Sequence, residues 1–194
     1  MKKTLITSLV LMIMAGTSLA QTPPPSPRPD TKSPAASEKS QLFQVVLVVG
    51  STAGTESVQD LPKNAAKAID DIRDFLPYKN YKLLDAGLLR AVADSMSSEM
   101  ILKGKTTDGD REFRATLRYR ERKDGQTLLV DQFILFAKPE HMGLLKEGYA
   151  PEAPSKLIDT SFSIGLNETI VVGSSRLNGS GTAIIVLLTA LPMS

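Results

Sequence analysis

The chain has 194 residues, 23 Lys+Arg, 21 Asp+Glu, one His, no Cys and no Trp. That length suits one domain with a tail; the missing cysteines exclude disulfides, thiolate metal sites, cysteine nucleophiles and a lipidated N-terminal cysteine, and a single histidine excludes multi-histidine metal centres. With 5% aromatic residues the chain also lacks the stacking platforms of single-strand nucleic-acid binders.

Residues 1–20 have the pattern of a secretory signal peptide. Lys2 and Lys3 form the positive start, Leu5 to Met14 the apolar stretch, and Ser18-Leu19-Ala20 the small-residue cleavage site before Gln21. The apolar run is about half of what a spanning helix needs, so cleavage is expected rather than anchoring. The pattern is bacterial in character and predicts a periplasmic or secreted product without an integral membrane segment. Cleavage removes two lysines and no acid, which leaves 21 basic and 21 acidic residues. A neutral chain has no bulk attraction for nucleic acid or an anionic membrane.

Residues 21–40 hold six of the twelve prolines and no large apolar side chain. Such a segment cannot build a core and predicts a disordered, extended spacer. The folded domain is expected over 41–192. Phe43 to Val49 is an apolar, β-branched run ended by Gly50, the pattern of a central strand covered on both faces. Residues 51–60 are polar and small, and predict a loop. Residues 62–76 predict the main helix, with Pro62 in its first turn and Asp60 as its cap. Ala65, Ala68, Ile69, Ile72, Phe75 and Leu76 form its apolar stripe, and Pro77 stops it.

Strand patterns follow. Tyr81 to Arg90 predicts a strand interrupted near Gly87, with Tyr78 and Tyr81 covering the crossing into it. Ala93 to Leu102 is ambiguous, and its alternation leans towards a strand. Residues 112–137 predict a hairpin turning at Lys123-Asp124-Gly125: Phe113, Ala115, Leu117 and Tyr119 alternate with Arg114, Thr116, Arg118 and Arg120. Residues 138–156, rich in Pro and Gly, predict a loop or short helix. Leu157 to Ile164, Glu168 to Val172 and Thr182 to Leu191 complete the set. The expected fold is α+β, a mostly antiparallel sheet or sandwich of seven to eight strands with one main helix.

Several motifs resemble chemistry without its context. Gly104-Lys105-Thr106 has the tail of a phosphate-binding loop, but Glu99 stands where the first glycine belongs, so a polar loop between strands is expected. Asp108, Asp110 and Glu112 offer oxygen ligands for calcium without the twelve-position loop pattern. His141 could serve a hydrolase as general base with a distant serine and aspartate. Neither Gly173-Ser174-Ser175 nor Gly50-Ser51-Thr52-Ala53-Gly54 makes a nucleophile elbow. Arg114, Arg118 and Arg120 place guanidinium groups on one hairpin face, suited to an acidic partner or to a solvated face that resists aggregation.

The C-terminal stretch carries a resemblance. Asp159 to Ile164, a short turn, Glu168-Thr169-Ile170-Val171-Val172-Gly173-Ser174, a polar turn and Ile184 to Pro192 resemble the closing β-hairpin of bacterial secretin-type secretion proteins. Ser174 replaces that pattern's second glycine, and the chain is too short for a whole secretin pore. The middle stretch, Asp71 to Asp85, resembles a pattern of uncharacterised secreted bacterial proteins. The resemblance implies an association with secretion or envelope machinery. The expected function is a non-enzymatic binding or assembly module in the cell envelope with a protein partner, no cofactor and no catalytic residue. Arg114, Arg118 and Arg120 are its candidate contacts. The alternatives are a small-ligand or calcium-binding envelope protein, and a hydrolase using His141.

Overall fold

The computed structural model describes residues 39–106, 109–138, 153–177 and 181–192. The chain divides into two units, Met1–Ala36 and Ser37–Ser194, and every described residue lies in the second. The expected signal peptide, residues 21–38 of the spacer, Asp108, His141 and residues 139–152 lie outside the described residues.

The apolar run around Phe43 becomes β1 (Ser40–Ser51). Successive side chains of a strand point to opposite faces, so a run this continuous needs cover on both. It has it: Phe43, Val45 and Leu47 enter one core, while Val46 and Val48 enter another. β9 (Thr182–Leu191), buried along nearly its whole length, lies beside β1 in the same situation.

Nine strands form two sheets among the described residues. The first has the order β2–β3–β1–β9–β8, with β2 (Ser57–Gln59), β3 (Asn80–Val92) and β8 (Thr169–Leu177). The second has the order β4–β5–β6–β7, with β4 (Ser98–Thr106), β5 (Gly109–Glu121), β6 (Thr127–Ala137) and β7 (Ser155–Gly165). All pairings are antiparallel except the short parallel contact of β2 with β3. Their inner faces enclose one core built from both sheets, with Phe43, Phe113, Tyr119, Phe133, Leu135 and Val186 at or near zero exposure. This is the expected α+β arrangement, a sandwich with one main helix.

The two sheets meet where β3 is followed by β4. Leu84 is a bulge residue opposite the Leu47/Val48 step of β1. The bulge turns β3 towards β4, where ladder bonding gives way to side-chain bonding. Asp85 Oδ2 accepts the Lys103 N–H at 2.7 Å, and Oδ1 accepts the Ala86 N–H at 2.8 Å. Gly87 leaves space occupied by Met100, and Gly104 leaves space occupied by Leu84. The break expected near Gly87 therefore falls at Leu84, and Gly87 lies inside a continuous strand. At the opposite side, β7 and β8 are joined by a tight turn in which Glu168 accepts the Gly165 N–H at 2.6 Å.

The second core lies under the helix. α1 (Lys63–Ile72) buries Ala65 and Ile69 against Val46, Val48, Tyr81, Ile185 and Leu187. It is shorter than the expected 62–76. A 3-10 turn over Arg73–Phe75 follows, and Leu76, which precedes Pro77, is extended. The proline ring disfavours helical geometry in the residue before it, so the last turn tightens and stops. Leu76 still packs into the second core, but Phe75 is 86% exposed and does not extend the stripe. Asp60 does not cap the helix. Its φ is 60°, no side-chain cap bond forms, and Pro62 stands at the cap position. Just inside the helix start, Asn64 Nδ2 lies 2.9 Å from Thr189 Oγ1, 3.1 Å from Gln44 Oε1 and 3.3 Å from Thr169 Oγ1. These three lie on neighbouring strands in one cross-strand row, so a single amide fastens the helix to the first sheet.

The ambiguous 93–102 stretch divides into a turn ending at Ser97 and the start of β4. Met96, counted in the strand alternation, is 91% exposed at the turn. Residues 51–60 are not loop throughout, since they include β2. Gly104-Lys105-Thr106 is strand rather than loop: it ends β4, and Thr106 Oγ1 donates to Gly109 O at 3.1 Å.

A candidate binding face on the four-stranded sheet

The alternation of β5 places its two kinds of residue on opposite faces, as expected. Phe113, Ala115, Leu117 and Tyr119 are buried, while Arg114, Arg118 and Arg120 are exposed. The inward row is rigidly held. The Tyr119 ring meets the Phe43 ring edge-on, 5.3 Å between centroids at 72°. Its hydroxyl donates to Lys39 O at 3.2 Å, and burial pushes its phenol up to about 12. A fixed inner row fixes the backbone, and with it the spacing of the outer row, roughly 7 Å between alternate residues of a strand.

The registers of β4, β6 and β7 define what surrounds the three arginines. Arg114 lies opposite Ile101 of β4 and Phe136 of β6, and Phe136 opposite Lys156 of β7. The next row is Glu99, Thr116, Ile134 and Asp159. Arg118 lies opposite Gln132. Arg120 lies opposite Leu129, beside a bulge at Asp131. Ile101 is 51% exposed, and Leu129, Ile134 and Phe136 are half-buried. No described element packs on this face, whereas α1 covers part of the outer face of the first sheet.

Two of the three arginines have carboxylate partners. Arg114 Nε lies 3.5 Å from Glu99 Oε1, and Arg120 Nη2 lies 2.8 Å from Asp131 Oδ1. Glu112 sits between Lys138 at 3.5 Å and Lys103 at 3.9 Å. Lys156 Nζ bonds Asp159 Oδ2 at 2.8 Å and, with help from Gln132, holds that carboxyl below the usual aspartate range. Exposed pairs of this kind contribute little to stability, about 0–1 kcal/mol each. Arg118 differs from its neighbours: among the described residues it makes no ion pair, and the residue opposite it, Gln132, carries no charge. The structure thus sets the three sequence-selected arginines on one face and distinguishes Arg118 among them.

The apolar members of this face escaped sequence reasoning. In β6 both alternating sets are apolar, Phe133 and Leu135 inward, Ile134 and Phe136 outward, so a two-residue period carries no signal there. Their pairing with the arginine row appears only in the register.

Among the described residues no group of three or more His, Cys, Asp or Glu side chains could hold a metal ion. Glu112, one of the oxygen ligands considered for calcium, is engaged by the two lysines. His141 and Asp108 lie outside the described residues. No helix among the described residues is long and apolar enough to cross a membrane.

No protein-family model matches the chain, and no curated protein matches it in sequence. Among solved structures it is similar to the secretin InvG of the Salmonella SPI-1 type III secretion injectisome (residues 176-end, open gate state), with a TM-score of 0.35 and 8% identity. The similarity covers 80% of this chain and 61% of that one, so this chain spans about three fifths of that chain's length. A likeness this shallow assigns neither a family nor an activity.

Proposed function

We propose that the chain is a non-enzymatic binding or assembly module of the bacterial cell envelope. The observation that carries this reading is the asymmetry of the sandwich. One sheet has a helix packed and fastened on its outer face, while the other leaves a broad face free of any described element. That bare face alternates guanidinium groups with aliphatic and aromatic side chains, the composition favoured at protein–protein contacts. The secretory pattern of residues 1–20 supports export, and the proline-rich pattern of residues 21–38 supports a tether for the folded part, which Lys39 and Ser40 already join. The residue pattern over 159–192 supports the finer reading of a place beside secretion machinery.

The test is crosslinking of the tagged full chain in its native cells, followed by mass spectrometry of the adducts. Recovery of defined envelope proteins, absent from an untagged control, is the expected result. Recovery of the chain alone would overturn the reading.

A further inference from the structure

We infer that the outer face of the four-stranded sheet docks a protein surface that presents carboxylates beside apolar side chains, with Arg118 as the central contact. This rests on the binding-module reading above and names its partner chemistry.

Arg118 is exposed just past the point where β4 begins to pair, with Gln132 of β6 opposite it, and makes no ion pair among the described residues, while Arg114 and Arg120 on either side are neutralised by Glu99 and Asp131. A guanidinium presents a planar fork of donors that matches a carboxylate. Lys105, exposed at the far end of β4, lies opposite the exposed Asp110, whereas Lys103 and Lys138 share the single Glu112 carboxylate, so with Arg118 the face keeps a small surplus of positive charge. Ile101, Ile134 and Phe136 lie one and two rows from Arg118 and would be desolvated by any surface that covers it.

The same geometry argues against a uniformly anionic partner. Glu99, Glu112, Asp131 and Asp159 are interspersed among the cations. A phosphate backbone or a membrane of anionic headgroups would bring negative charge against all four. A protein surface can present its own cations to these carboxylates and its carboxylates to Arg118, and so match the mosaic.

The test places a photo-reactive benzoylphenylalanine in the full chain, in native cells, at Thr116 and separately at Leu88 on the outer face of the first sheet. Each is made with and without Arg118→Glu. Arg118 is exposed and makes no ion pair among the described residues, so its reversal leaves the Tm unchanged, which is measured alongside. The expected result is a protein adduct from Thr116 whose crosslinked peptide is rich in Asp and Glu, with its yield falling at least five-fold in Arg118→Glu. A Thr116 adduct insensitive to Arg118→Glu, one with a basic peptide, or one with lipid or nucleic acid alone would overturn the inference. Adducts from Leu88 but none from Thr116 would overturn this face and leave the binding-module reading standing. Adducts from neither position would overturn both.

Discussion

At the scale of single residues, Tyr119 shows how the core and the candidate face depend on each other. It is the last of the four inward residues of β5. It closes the core against Phe43, and its hydroxyl holds the chain at Lys39 just before β1 begins. Burial favours the neutral phenol, so its pKa rises from the ordinary tyrosine value near 10 to about 12. A group whose pKa is raised by folding stabilises fully below its unfolded pKa and loses that contribution as pH climbs to the folded value. The urea midpoint should therefore hold steady up to about pH 9 and fall between about pH 10 and 12. Tyr119→Phe should lower the midpoint at neutral pH, consistent with one lost hydrogen bond of about 1 kcal/mol, and flatten the alkaline decline. Tyr81, also raised by burial, would leave a residual slope. An unchanged alkaline decline in Tyr119→Phe would show that another group governs it. The inward placement of Tyr119 was legible from the alternation of β5 alone. Its bond to Lys39 was not, because it joins positions 80 residues apart.

At the scale of elements, the junction of β3 with β4 is where the sequence spoke least. Nothing in the order of residues marks Leu84 as a bulge, since bulges are set by the partner strand. Gly87 and Gly104 draw notice as strand glycines, but what fills their space comes from the other strand. A Cβ added at Gly87 would lie 2.3 Å from Met100 Cε, the free end of a flexible side chain. A Cβ at Gly104 would lie 2.3 Å from Leu84 Cγ and Cδ1 and 3.1 Å from the Leu84 carbonyl oxygen. Leu84 cannot withdraw without moving the bulge that presents Asp85 to Lys103. Gly87→Ala should thus stay within about 1 kcal/mol of the wild type, because Met100 can swing aside and alanine restricts the unfolded chain. Gly104→Ala should cost about 1–3 kcal/mol, as overpacking does. Denaturation midpoints of the two variants check the order, and a larger loss in Gly87→Ala would contradict this account of the seam. The helix was legible in its first residue to within one position and in Ala65, Ala68 and Ile69 of its apolar stripe. Its early end was not, because the pattern continues to Leu76 while Pro77 has already forced Leu76 out of helical geometry.

At the scale of the whole molecule, the sequence made the fold class readable through two periods: the doubly covered run of β1 and the strict alternation of β5. The arginine row was readable for the same reason. What it could not show was which face of the sandwich each sheet leaves open. That follows from strand order, which places β1 and β9 under the helix and β5 and β6 in a sheet with none among the described residues. The candidate face is therefore a product of topology as much as of its residues, and its three arginines become unequal only once β4, β6 and β7 supply or withhold carboxylates.

Lysine footprinting compares the two faces without changing a residue. Lys103, Lys105, Lys138 and Lys156 lie on the four-stranded sheet or its rim, and Lys63 and Lys67 on the helix, all exposed. A small acetylating reagent would be applied to native cells and to the purified chain, and each lysine read by mass spectrometry. If the four-stranded face docks a partner, Lys105 and Lys156 should be modified several-fold less in cells than in the purified chain, with Lys63 and Lys67 unchanged. Equal reactivity of all six in both settings, or protection confined to the helix side, would contradict it.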